Sequence, residues 1–296
     1  MNKQKTIVVI DTHIFAHTID HTLQSHNWGH EYIDYFARAY LEFLARGLWL
    51  PDEYDKSNHW VVMVGDEKPY WRNKCFEDIG VSYKGNRRWT VRPNAEQIFD
   101  ILDAFNRAVK DCQGKVLRHF DTQGNFGFEA DDWASAICRL KQPETRVLLL
   151  TTDIDWLGLT HIDNVHWINA MQNIKPHGRV RNRTNFCEWF NTWHESKTAV
   201  KKGFCAKEPV DIYHFKCRYG DRSDTIPPFE IVDEVIDLVS LLEPRVKLEH
   251  YVNVLEQVRS AWIPMQSRLT FDEWFVKAKV HQLFPRIPLD SLSVVY

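Results

Sequence analysis

Thr6–Ile10, His59–Val64, Val116–Phe120, Arg146–Leu150 and Val165–Ile168 are short, continuous runs dominated by apolar residues. Runs of that length without alternation predict strands buried on both faces, as in a parallel sheet. Segments with helical spacing lie between them. Phe36, Tyr40, Phe43, Leu44 and Leu48 mark one over Asp34–Trp49, and Ile98, Ile101, Leu102 and Phe105 mark another over Asn94–Val109. A third is predicted to run from the acids near Glu129 to about Leu140. Strands alternating with helices predict an α/β fold, a mostly parallel, twisted, doubly wound sheet with helices on both faces. Phe229–Tyr296 has only helical periodicity. The chain therefore divides into a unit over 1–228 and a small C-terminal helical region over 229–296.

Three of the predicted strands end in acids: Asp11, then Asp66 behind Gly65, then Asp153 and Asp155. The C-terminal ends of strands in an open α/β sheet are where sites are built. The densest group is Phe126-Gly-Phe-Glu-Ala-Asp-Asp132, which holds Glu129, Asp131 and Asp132 directly before Ala134, Ala136 and Ile137. On a helix Glu129 and Asp132 share a face. Acids also suit a first helical turn, so an acidic cap is the plain alternative. Asp221 and Asp224 follow in a turn-rich stretch that ends at Pro227 and Pro228. Two unit charges ~4 Å apart at an effective dielectric of ~20 repel by about 4 kcal/mol, so these carboxylates cannot converge bare. They take up protons or bind divalent cations. Oxygen donors without His or Cys suit Mg²⁺ or Mn²⁺ rather than zinc.

Net charge is −3 over 296 residues, so a nucleic-acid surface has to come from local patches. Two are present. Lys68–Arg92 carries seven basic residues against Glu77 and Asp78, with Tyr70, Trp71, Tyr83 and Trp89 interleaved; Gln172–Lys207 carries eight against Glu188 and Glu195. The six cysteines show no C-x-x-C spacing, and reduced thiols in a cytoplasmic protein are expected. The first apolar run is too short for a signal peptide, and no stretch approaches a membrane span.

Val9-Ile-Asp11, Gly65-Asp66, Tyr83-Lys-Gly-Asn-Arg87, Phe128-Glu-Ala-Asp-Asp132, Thr152-Asp-Ile-Asp155 and Gly220-Asp-Arg-Ser-Asp-Thr-Ile-Pro227 follow one another in an informative order. In order and spacing the chain resembles the 5′-nuclease superfamily over about residues 6–228. That superfamily includes flap endonucleases, the 5′-nuclease domain of bacterial DNA polymerase I and stand-alone phage exonucleases; the length is most similar to the phage members. The resemblance implies a Mg²⁺-dependent 5′→3′ exonuclease and flap endonuclease using two metal ions, with Mn²⁺ able to substitute. Asp11, Asp66, Glu129 and Asp131 would hold one ion. Asp153, Asp155 and Asp221 would hold or orient the second, with Asp132 and Asp224 in the outer shell. Lys84 and Arg87 match a basic arch over 68–92 that cradles the scissile phosphate, beside Arg88, and Tyr83 would stack on a base of the single-stranded arm. Implied partners are DNA with a free 5′ end, flap or nick, RNA–DNA hybrids, and a replication protein such as a polymerase or single-strand-binding protein. The implied setting is a bacterial or phage-infected cytoplasm.

The family's Gly-x-Gly helix–hairpin–helix has no counterpart, because Phe229–Leu242 lacks glycine and carries Glu230, Asp233, Glu234 and Asp237. Duplex affinity comes from phosphate neutralisation. Arg179, Arg181 and Arg183 are therefore expected to supply duplex contacts instead. His13, His17 and His21 repeat at i, i+4, the spacing of a zinc pair, and are outweighed by the acid set. Two rival readings remain: a single-strand ribonuclease of the related PIN class, and a non-catalytic nucleic-acid-binding protein on the same fold.

Overall fold

The computed structural model describes residues 5–14, 59–68, 70–85, 115–117, 120–121, 126–169, 180–192, 205–222 and 224–228, with Ala16, Asp20, Ile98 and Leu102. The helix expected over Asp34–Trp49, Arg87, Arg88, Arg179 and the region 229–296 lie outside the described residues. The strands are β1 (Thr6–Asp11), β2 (His59–Val64), β3 (Lys115–Leu117), β4 (Phe120–Asp121), β5 (Phe126–Gly127), β6 (Arg146–Leu150), β7 (Val165–Ile168) and β8 (Val180–Arg181). The helices are α1 (Trp71–Glu77), α2 (Ala130–Leu140), α3 (Arg183–Thr192) and α4 (Asp211–Tyr219), with a 3-10 helix over Asp155–His161.

β1 sits in the middle of the sheet, and all six of its residues are buried. It pairs parallel with β2 on one edge (Thr6 opposite His59) and with β6 on the other (Thr6 opposite Arg146). The full order is β3-β2-β1-β6-β7-β8, parallel except for β8. The chain moves outward from β1 through β2 and β3, then restarts on the opposite edge with β6 and β7. The order reverses between β1 and β6, and a crevice opens at the carboxyl ends of the strands at such a reversal. Asp11 lies on one side of it, and Asp153 follows the strand on the other.

Alternate residues of the central strands are buried on each face. Ile7, Val9, Val62, Val64, Val147 and Leu149 join a core cluster with Trp133, Ala134 and Ile137 of α2, Trp156 and Leu157 of the 3-10 helix, and Tyr213 of α4. Val8, Ile10, Met63, Leu148 and Leu150 point the other way and are also buried. This is why the strands read as unbroken apolar runs. Ile98 and Leu102, the described part of the helix expected over Asn94–Val109, are helical and buried. Among the described residues no helix is long and apolar enough to cross a membrane.

Two expectations are corrected. The strand expected over Val116–Phe120 is shorter: β3 stops at Leu117, and Phe120 pairs instead with Gly127 in a separate antiparallel pair. The turn-forming sequence Asp121-Thr-Gln-Gly-Asn125 favours that local hairpin. Within the basic segment expected to supply duplex contacts, β8 instead adds an antiparallel edge to the sheet, with Trp167 opposite Arg181.

Gly127 is required by a close approach. A Cβ there would stand 1.9 Å from the Glu67 carbonyl oxygen, and the Glu67 N–H donates to the Phe128 carbonyl at 2.9 Å. This contact pins the segment after β2 against the entry to α2. Gly127→Ala is expected to destabilise the protein by ~1–3 kcal/mol through overpacking, read as a lowered midpoint in urea unfolding. An unchanged midpoint would mean the two segments are free to separate.

Candidate active site

Each acid of the crevice is held by a neutral donor supplied by its neighbours. The Ile14 N–H donates to Asp11 Oδ1 at 3.1 Å, and Thr151 Oγ1 donates to Asp11 Oδ2 at 3.2 Å, joining the ends of β1 and β6. The Ala130 N–H at the start of α2 donates to Asp66 Oδ1 at 2.8 Å, and the Tyr70 hydroxyl donates to Oδ2 at 3.2 Å. The Trp156 indole N–H donates to Asp131 Oδ1 at 2.6 Å, tying the 3-10 helix to the first turn of α2. The Asp155 N–H donates to Asp153 Oδ1 at 2.9 Å. Asp131 Oδ2 and Asp153 Oδ2 accept no hydrogen bond from a described residue.

Asp11, Asp66, Asp131 and Asp153 thus come from four segments, and none touches a basic side chain among the described residues. Mutual repulsion is visible in the acidities of Asp11 and Asp131. Burial, then Asp66 and Asp153, pushes the Asp11 carboxyl up to about 8. Burial, then Asp153 and Glu129, holds Asp131 well above the usual carboxylate range.

The remaining acids are paired with cations. Arg72, 1 % exposed, spans two carboxylates, with Nη1 2.7 Å from Glu129 Oε2 and Nη2 2.6 Å from Asp132 Oδ1. Lys84 bonds the other Glu129 oxygen. Burial would raise the Glu129 carboxyl, but Lys84 and Arg72 outweigh it and bring it down to about 2. Glu129 is also the N-cap of α2, and its own N–H donates to Asp132 Oδ2 at 3.0 Å, so the acidic-cap alternative describes part of what these residues do. Lys216 Nζ lies 2.6 Å from Asp155 Oδ2 and 2.7 Å from Asp221 Oδ2. Burial nonetheless pushes the Asp155 carboxyl up to about 7 against that lysine.

Several expected roles change with this geometry. Asp132 was expected in an outer shell around a metal; its two oxygens are engaged by Arg72 and the cap of α2. Tyr83 was expected to stack on a nucleic-acid base. Its ring instead stacks on Phe76 at 4.9 Å, and its hydroxyl donates to Glu129 Oε1 at 3.3 Å, leaving the residue 7 % exposed. Arg181 was expected to contact duplex and is 2 % exposed, because β8 carries it into the sheet edge. Arg183 is exposed and pairs with Glu208 at 3.2 Å. Asp224 is buried, and its carbonyl accepts the Lys84 N–H at 2.7 Å, so the turn over 221–226 anchors the base of the basic segment. His13 Nδ1 accepts the Asp66 N–H at 3.3 Å, which places it next to the acids; His17 and His21 lie outside the described residues. Sequence reasoning missed Arg72, Trp156 and Lys216. Arg72 was hidden among the basic residues of its segment, whereas Lys216 had a readable signal, a basic residue on a helix five positions before Asp221.

No protein-family model matches the chain, and no curated protein matches it significantly. Among solved structures, the bacteriophage T5 D15 protein co-crystallised with metal ions matches with a TM-score of 0.50 at 16% identity, over 98% of this chain and 96% of that one. The chain has a 5′-nuclease-like fold. A T5 D15 flap endonuclease in complex with DNA and metal ions is similar at TM-score 0.47 and 17% identity, over 98% and 89% of the two chains. A T5 5′-exonuclease with bound zinc gives 0.48 and 15%, over 95% and 86%.

Within this 5′-nuclease-like fold, no three His, Cys, Asp or Glu side chains among the described residues stand together closely enough to hold a metal ion as they are oriented. The donor chemistry suits a hard cation all the same. Four carboxylates without a basic partner among the described residues face one another in a part-buried crevice, and two of them keep an oxygen open.

Proposed function

We propose that the protein is a divalent-metal-dependent 5′-nuclease that hydrolyses DNA at a free 5′ end, a flap or a nick, and removes RNA from RNA–DNA hybrids by the same chemistry. One observation supports this reading: Asp11, Asp66, Asp131 and Asp153 are near enough to act on one another electrostatically, each is held by neutral donors, and none touches a basic side chain among the described residues. These four would hold Mg²⁺, or Mn²⁺ in its place. When bound, the ion would supply positive charge at the scissile phosphodiester and make an attacking water more acidic. The wider set of nine ligands for two ions narrows to these four, since Glu129, Asp132, Asp155 and Asp221 already have cationic partners and Asp224 is buried in the turn over 221–226.

The basic residues then divide by position. Lys84, part-exposed beside Glu129, exchanges that carboxylate for a substrate phosphate and counters the charge that builds there. Arg72 remains on Glu129 and Asp132 throughout, keeping the entry to α2 in place when Lys84 moves. Arg87 and Arg88 extend the basic segment along the nucleic acid. A replication partner such as a polymerase or single-strand-binding protein follows from the family resemblance alone.

The test is cleavage of 5′-labelled flap, nicked, RNA–DNA and structureless RNA substrates in Mg²⁺, in Mn²⁺ and in EDTA. Cutting of the flap and nicked DNA with either metal and none in EDTA is expected. Preference for the structureless RNA would favour the PIN-class ribonuclease, and tight binding without cutting would favour a non-catalytic binder.

A further inference from the structure

Asp155 and Asp221 share one cation. Lys216 Nζ is 2.5 Å from Asp155 Oδ1, 2.6 Å from its Oδ2 and 2.7 Å from Asp221 Oδ2, and its side chain is 18% exposed. The lysine is held in that position from several sides. One turn earlier on α4, the Tyr213 hydroxyl donates to the Asp155 carbonyl at 2.7 Å. Residues three apart share a helix face, so α4 grips the aspartate by backbone and side chain together. Tyr213 is in turn seated where the 3-10 helix has no side chain, since a Cβ on Gly158 would stand 2.1 Å from its hydroxyl. Asp221 is fixed by reciprocal backbone bonds with Ile226, both 2.8 Å. The ammonium is thus built in, whereas Asp11, Asp66, Asp131 and Asp153 touch no basic group among the described residues.

We infer that the Lys216 ammonium takes the place a second divalent cation would need, so that the free protein binds one such ion tightly and not two. This rests on the metal-dependent reading above. A divalent ion ligated by the same oxygens would lie within ~4 Å of Nζ, where its repulsion is twice that between two single charges. The lysine cancels one of the two carboxylate charges and occupies their oxygens with its own hydrogen bonds, so a second ion meets half of the charge and must displace the ammonium to reach its ligands.

Mn²⁺ titration without nucleic acid, followed by calorimetry and by the electron paramagnetic resonance of free Mn²⁺, counts the sites directly. One tight site per chain is expected for the natural protein and two for Lys216→Met, the new one at least ~10-fold tighter than any second site of the natural protein, ~1.4 kcal/mol. Asp221→Asn, which leaves Lys216 on Asp155, is expected to stay at one. If Lys216→Met does not fold, Lys216→Gln keeps hydrogen-bonding reach without charge and carries the same expectation. Two equal sites in the natural protein, or one in the uncharged variants, overturns the inference and leaves the metal-dependent reading standing. No tight site at all overturns both.

Discussion

Replacing Asp11 by Asn is expected to lower phosphodiester cleavage by at least ~10³-fold while raising the melting temperature of the metal-free protein. Asp11 is 5 % exposed, and its carboxyl titrates at about 8 in the folded state, raised from 3.8 by burial and by Asp66 and Asp153. Below pH ~4 the group is protonated in folded and unfolded chains alike and takes nothing from stability. Between pH ~4 and ~8 the unfolded chain gives up its proton and the folded one resists, so stability falls as pH rises. An amide has no such titration. It still accepts the Ile14 N–H and still meets Thr151. The variant should therefore match the natural protein near pH 4 and exceed it by roughly 2–5 kcal/mol at pH 8 in EDTA. Saturating Mg²⁺ should reverse the ranking, because only the natural protein gains stability from a bound ion. Thermal unfolding at the two pH values, with and without metal, measures all three terms. A variant that is less stable at pH 8 in EDTA, or that still cuts DNA, contradicts the assignment of Asp11.

Arg72→Met should have the largest effect on stability alone. Arg72 serves two carboxylates, Glu129 and Asp132, whose side chains are 1% and 0% exposed. Methionine fills much of the volume but takes the guanidinium away from both carboxylates, leaving Glu129 with Lys84 and the Tyr83 hydroxyl among the described residues. Removing one partner from a buried ion pair costs about 3–5 kcal/mol. The pH dependence identifies the cause. Glu129 is held near 2 in the folded protein, below its ordinary 4.5. Its stabilising contribution is therefore present above ~4.5 and is lost as pH falls through ~2. The gap between variant and natural protein should be widest at neutral pH and should close toward pH 2. Arg183→Met gives a control, because its pair with Glu208 is about half exposed on both sides and contributes less than ~1 kcal/mol. Urea midpoints across that pH range decide it. A gap that does not depend on pH would mean that lost packing, not uncovered charge, accounts for the change.

The two variants act on opposite halves of one charge pattern. Asp11 belongs to the acids kept apart from basic side chains among the described residues, and burial together with Asp66 and Asp153 opposes its ionisation. Arg72 belongs to the acids already neutralised, which hold α1, α2 and the basic segment together. Stability and function therefore divide between residues that look identical in the chain. Glu129 and Asp131 are two positions apart, yet one is held low near 2 and the other is raised.

Much was legible in the chain itself. The unbroken apolar runs at 6–10, 59–64, 146–150 and 165–168 specified the parallel strands, because a strand covered on both faces needs no polar alternation. The acids at their ends marked the edge that carries the candidate site for the same reason, since a charge ends a buried run where solvent begins. What the chain could not state was which acid meets which cation. Arg72 lies 57 residues from Glu129 and Lys216 lies 61 from Asp155, and no local pattern encodes such distances. Only the packed tertiary structure brought Lys84, Arg72 and Lys216 onto some carboxylates and away from others, turned Tyr83 inward, and drew Arg181 into the sheet. The sequence alone determined that negative charge collects at one edge; the fold decided how much of it is neutralised by basic side chains, because neutralisation depends on contact at a few ångströms and not on order along the chain.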